Sequence, residues 1–336
     1  MDKIAESYVK LVLKIGLYDD GYVDAYYGPD EWKPSALTPA QKNKFPHDAF
    51  LKEADDILNS LKTISVSGLN ESERLRYMYL KDQMAAVRAR VEILNGLKLS
   101  FDDESKALYD AIAPAHSNEY FANIIASLDS ILPGNGTMAE RLGKFKEGFI
   151  IPRDRVDTVF KAAINECRRR TLEHIKLPDN ENFSVEYVTG VPWGAYNWYK
   201  GNAFSLIQVN TELPIYIDRA IDLACHEGYP GHHVYNALLE QHLVRERGWV
   251  EYTIYPLYSP QSLIAEGSAN YGIDMAFPGK ERIEFEKNVL FPLAGLDASL
   301  AEKYYAVLEL TSKLNYAMNE AARQYINGQL TKEGVI

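Results

Sequence analysis

The chain is short of cysteine. Its 336 residues include two, Cys167 and Cys225, which excludes a disulfide framework as the source of stability. It has no apolar run approaching the ~18–20 residues of a membrane-spanning helix. It has no Lys/Arg stripe either. Its 36 basic side chains face 47 acidic ones, a net charge of −11, so nucleic acid is not an expected partner. The opening MDKIAESYVKLVLKIGLYDD carries charges between its apolar residues and lacks the uninterrupted apolar core of a secretory signal. A cytoplasmic location is therefore expected. There is no repeat period and no low-complexity tract. With 46% hydrophobic and 25% charged residues, the composition is that of a folded chain and excludes disorder.

What is present reads mainly as helix. Ile4, Tyr8, Leu11, Val12 and Ile15 recur at three- and four-residue spacing, one apolar helical face. Ala49–Leu61, the highly charged Glu71–Leu94, Phe121–Leu132 and Pro152–Ile175 repeat that period. Pro133-Gly134-Asn135-Gly136 is the clearest break, and Thr137 with Glu140 forms a capping-box pattern for the next helix. Arg168, Arg169, Arg170 and His174 sit in the last turn of their helix, where cations are favoured anyway. From 183 to 213 the texture changes: FSVEYV and AFSLIQVN alternate apolar and polar residues between glycines and prolines. The expectation is a mainly α architecture in one large unit, with helical lobes at 1–133 and 134–336. A small antiparallel β element near 183–213 should border a cleft between them.

The chemistry concentrates in IDRAIDLACHEGYPGHHVYNALLEQH, residues 217–242. His226, His232 and His233 fall within eight positions, and Glu227 follows the first. Dense histidines lower helix propensity without a packing return, which points to a ligand set. An imidazole leaving an apolar helix beside a carboxylate suits a zinc ligand next to a general base. In H-E-x-x-H the histidines lie four residues apart, ~6 Å along a helix, and meet one ion. Here they are six or seven apart. Pro230 and Gly231 supply the necessary distortion: a bulge of two extra residues brings His232 to the second-ligand place, and one of three brings His233. His232 is preferred, with His233 as the alternate. Cys225, one position from His226, reads as packing.

A third ligand is expected from another helix. In LIAEGSANY, Glu266 stands among apolar and small residues and must be paired, protonated or metal-bound. Asn270, one turn on, can support a ligating histidine. The expected zinc set is His226, His232 and Glu266, with a fourth position for water. Glu227 is the general base, and Tyr229 or Tyr271 a hydrogen-bond donor to the oxyanion. The aromatic segment VPWGAYNWYKG either lines a groove or covers a core edge.

HEGYPGHH resembles the H-E-x-x-P-G-H-H signature of the bacterial domain-of-unknown-function 885 family. QVNTELP and AEGSANYG are similar to two further family segments, the latter departing at Ser268 and Asn270. The resemblance covers residues 190–336. It implies a helical, zincin-like metallopeptidase with zinc as cofactor and a peptide or small amide as substrate. The reading from another class is a non-catalytic metal- or peptide-binding protein on a decayed hydrolase scaffold. Retention of Glu227 argues against it, because a binder has no use for a base beside its histidines.

Overall fold

Helices begin where the chain supplies caps. Asn70 accepts from the Glu73 N–H while the Glu73 carboxylate reaches back to the Asn70 N–H, opening Glu71–Leu94. Thr137 and Glu140 do the same for Met138–Glu147. The computed structural model describes residues 1–132 and 134–335. Pro133, first residue of the PGNG break, lies outside the described residues, as does Ile336. The protein is mainly α, 63% helix against 8% strand.

Among the described residues, two large cores and two smaller apolar clusters hold it together. In the first, Tyr8, Leu11 and Ile15 of Asp2–Gly16 pack with Phe50 and Ile57 of His47–Lys62 and Leu80 and Met84 of Glu71–Leu94. Ile254, from far along the chain, closes this core. The second is built from Phe149, Phe160, Ile207, Val209, Ile221, Phe291 and Tyr304. Packing therefore divides the chain differently from lobes cut at 133. A 250–258 segment joins the N-terminal core, and Ile124 and Leu128 pack on Val307. The reason is pairing at long range, which the helical period of each segment does not record. The basic turn is fully paired: Arg168 with Glu181, Arg169 with Glu166 and Glu173, Arg170 with Glu166 and Glu281.

Five short strands are β1 (Val23–Tyr26), β2 (Asn182–Val188), β3 (Ala195–Tyr199), β4 (Phe204–Asn210) and β5 (Ile254–Pro256). β1 and β5 pair antiparallel, with a register irregularity between Val23 and Ala25. The other three form a sheet in the order β2-β4-β3. β3 and β4 are antiparallel, as expected for this region, whereas β2 joins β4 in parallel. The sheet is therefore mixed. The cause is that part of the aromatic segment VPWGAYNWYKG is itself strand β3 and provides the return path that a parallel pair requires.

β4 is paired on both sides, so β3 carries a free edge. Asn210 N–H donates to Gly194 C=O at 2.8 Å and Lys200 N–H to Phe204 C=O at 2.9 Å. Antiparallel alternation then assigns the bonds to β4 to Tyr196 and Trp198. The N–H and C=O groups of Ala195 and Asn197 point to the open edge.

Candidate functional site

The helix Asp218–Leu223 buries Ala220, Ile221 and Leu223 in the second core. It then widens into a π-helical turn, Ala224–Gly228, a distortion common at functional sites. The chain breaks at Tyr229–Gly231, and a new helix starts at His232. Gly231 is required here. A Cβ at this position would stand 1.9 Å from the His226 carbonyl oxygen and 2.3 Å from that of Cys225, so the tight return exists only without a side chain. Gly272 does similar service on the facing helix, Pro260–Ala276, where a Cβ would meet Pro230 Cγ at 2.9 Å.

The wide turn and the break together bring His226 and His232 face to face. Their Nε2 atoms are 3.1 Å apart. Glu266 arrives from Pro260–Ala276, with Oε2 3.4 Å from His226 Nε2 and Oε1 3.3 Å from His232 Nε2. Ligands at 2.0–2.1 Å around a tetrahedral ion are ~3.3 Å from one another, so these three atoms have the spacing of one face of such a site. Asn270 Oδ1 lies 3.2 Å from His226 Nδ1 and orients that ring. Glu266 is less enclosed than its apolar neighbours suggest, its side chain 52% exposed. Ile264 on the same helix is exposed too, so the apolar residues around Glu266 do not all face a core. Hydrogen bonds from His226 and His232 hold its carboxyl well below the usual range. Burial opposes protonation of His226, but Glu266 and Glu227 raise its pKa on balance.

Glu227 is 6% exposed and, among the described residues, its carboxylate has no hydrogen-bond or ion-pair partner. Burial pushes its pKa up, with His232 and His226 pulling the other way. It lines a cavity of about 250 Å³ together with Asp24, Ala195, Tyr196, Asn197, His226, His232, Asn236, Tyr255, Leu257 and Glu266. A second cavity, about 320 Å³, adjoins it and shares Ala195, His226 and Glu227; Gly194, Arg219, Asp222 and Asn270 complete that side. The two form a cleft that passes His226 and Glu227 along the open edge of β3. Asn197 Nδ2 donates to the Glu227 carbonyl at 2.6 Å, tying strand β3 to the π-helical turn.

Other residues singled out from sequence go elsewhere. His233 is fully buried, its Nδ1 2.9 Å from Ser205 Oγ and its Nε2 3.1 Å from Glu181 Oε2. Tyr229 OH donates to the same Glu181 oxygen at 2.6 Å, which fixes this tyrosine in the core. Tyr271 is 64% exposed and lines neither cavity. It follows Glu266 by five residues, ~140° around the helix. Cys225 is buried with its Sγ 2.9 Å from that of Cys167, whose thiol pKa is raised by burial. Both cysteines are packing residues.

Two lining residues, Asp24 and Tyr255, escaped sequence reasoning; Tyr196 belongs to the aromatic segment VPWGAYNWYKG, for which a groove is one of the two expected places. Asp24 sits at the register irregularity of β1, and Tyr196 OH donates to it. Burial pushes its carboxyl up to about 6. Tyr196 and Tyr255 are the tyrosines that do reach the cleft. Asp24 lies about 200 residues from His226 and His232, and no local pattern marks either it or Tyr255. No protein-family profile, curated protein or solved structure matches the chain.

Proposed function

We propose that this protein is a metal-dependent hydrolase of peptide or related amide bonds. The observation that carries the reading is the juxtaposition of two elements. One is the His226, His232 and Glu266 triad, spaced as a tetrahedral face. The other is a buried, unpartnered Glu227 in the same cavity. Zinc held by the three side chains would act as a Lewis acid and lower the pKa of a bound water to ~7. Glu227 accepts the proton of the attacking water and delivers it to the leaving nitrogen, helped by a raised pKa that makes it the better proton carrier. Asn270 keeps the His226 ring in position. Tyr255, which lines the cavity with its hydroxyl 3.3 Å from Ser262 Oγ, would donate to the developing oxyanion in place of Tyr271.

The free edge of β3 supports a peptide in particular. An extended substrate can add as a strand to Ala195 and Asn197, whose backbone groups are open. The neighbouring β4 segment, AFSLIQVN, has both edges taken and cannot do this. The resemblance of HEGYPGHH to the domain-of-unknown-function 885 family points the same way.

Glu227→Gln tests the reading. The substitution keeps size and hydrogen bonding but cannot accept a proton, so turnover of a peptide mixture should fall by ~10²–10⁴ while zinc content stays at the wild-type level. Zinc lost with activity would make Glu227 a ligand. Unchanged turnover would end the mechanism.

A further inference from the structure

The cleft has a charge polarity. At one end Asp24 is carried into the cavity by a β-bulge, a device that re-aims a side chain near functional sites. No Lys or Arg lines that cavity, and among the described residues neither Asp24 nor Glu227 has an ion pair. Among the described residues Asn197, which lines the cavity, has its Oδ1 buried with no partner, its amide already oriented by the Nδ2 bond to the Glu227 carbonyl. Glu227, more than nine-tenths buried, is likewise unpartnered. Beyond the bond from Tyr196 OH to Asp24, this end of the cleft therefore presents acceptors with capacity for further donors, and an enclosed carboxylate without a counterion calls for a cation. At the other end stands Arg219, in an ion pair with Asp222 at 3.1 Å.

Resting on the hydrolase reading above, we propose that Asp24 and Asn197 bind the free α-ammonium of a peptide, so that the enzyme removes residues from the amino terminus. An ammonium supplies three donors and one positive charge, which matches this acceptor set. The cavity, about 250 Å³, is below the ~300 Å³ at which drug-sized ligand pockets begin; it suits one residue rather than a continuing chain. Strand direction agrees. β3 enters at the Arg219 side, with Gly194 and Ala195, and leaves at the Asp24 side, with Tyr196 and Asn197. A peptide whose amino terminus lies at Asp24 and whose chain runs toward Arg219 is antiparallel to β3, the better-bonded arrangement. The bond beside Glu227 is then the first peptide bond. Its C–N bond breaks, the water oxygen joins the carbonyl carbon, and the water protons end on the released amine, leaving a carboxylate and an ammonium.

The test uses the full-length, zinc-loaded protein and two short peptides that differ in acetylation of the amino terminus. Cleavage at the first bond of the free peptide is expected, with kcat/KM for the acetylated one lower by ~10–100-fold, the weight of one charged hydrogen-bonded contact. Asp24→Asn should raise KM for the free peptide by a similar factor and so bring its kcat/KM toward that of the acetylated one. A merely structural Asp24 would depress both. Binding of the same peptides to the Glu227→Gln protein, followed by calorimetry, gives a readout free of turnover. Preference for the free amine in binding without hydrolysis by the wild type would uphold the amino-terminal anchor and overturn the hydrolase. Hydrolysis with equal rates on both peptides, or cuts at internal bonds, would overturn the anchor and keep the hydrolase. Equal binding of both peptides would also overturn the anchor.

Discussion

His232 and His233 are neighbours in the chain with opposite surroundings. His232 faces His226 and Glu266 across an open cavity. His233 is fully buried against Glu181, Ser205 and the ring of Tyr229. Each histidine has a glutamate, so residue type does not distinguish them. Saturation does. The His233 cluster is closed: both ring nitrogens are bonded, and Glu181 is shared by His233, Tyr229 and Arg168. Burial alone would raise the Glu181 carboxyl, yet those hydrogen bonds bring it down to about 2. In the His232 cluster three ligand atoms crowd together with a lone carboxylate beside them. A satisfied polar network rigidifies the fold, while an unsatisfied one beside a cavity is set up for a ligand.

Removing a ligand should produce the largest contrast. His226→Ala and His232→Ala are expected to abolish zinc binding and Glu266→Ala to weaken it strongly, since three protein ligands leave no redundancy. His233→Ala should keep zinc while losing stability. Metal content and thermal unfolding of all four variants give the answer, and zinc lost at 233 but kept at 232 would reverse the assignment.

Gly231→Ala comes next, because it attacks the backbone return that separates the two histidines. The clash with the His226 carbonyl should destabilise the protein by ~2–4 kcal/mol and weaken zinc binding together. Wild-type values of both would show that the tight return is not needed.

Glu181→Gln probes the closed cluster with a smaller effect, ~2 kcal/mol for a carboxylate with charged hydrogen bonds. The pH dependence carries a sign. The folded carboxyl lies at about 2, below the ~4.3 of an unfolded glutamate. Its stabilisation is therefore full above pH ~4.3 and lost as pH falls toward 2. Denaturation of wild type and variant should differ at pH 7 and converge at low pH; a constant gap would mean the charge is not what stabilises.

Tyr271→Phe should change nothing measurable, in stability or turnover, since that side chain is exposed and away from the cleft. Tyr255→Phe is its positive counterpart, and a loss of turnover at 271 but not at 255 would return the oxyanion role to the tyrosine expected from sequence.

Much of this was legible before any coordinates. Periodicity announced the helices because an amphipathic face is a local property, and Thr137 caps where its pattern with Glu140 stands. The cluster of His226, Glu227 and His232 was visible because ligands on one distorted turn must be close in sequence. Glu266 was recognisable from its neighbours, though its exposure was not. Tertiary structure alone decided four things. It set His232, and not His233, beside His226 and Glu266, since the geometry of a break depends on what packs around it. It placed β3 at the sheet edge and β2 in parallel, because strand order is settled by long-range pairing. It sent Tyr271 outward. It brought Asp24 and Tyr255 to the cleft from β1 and β5, joined across some 230 residues by backbone hydrogen bonds. Backbone pairing is blind to side-chain identity, so no pattern in the sequence records that meeting.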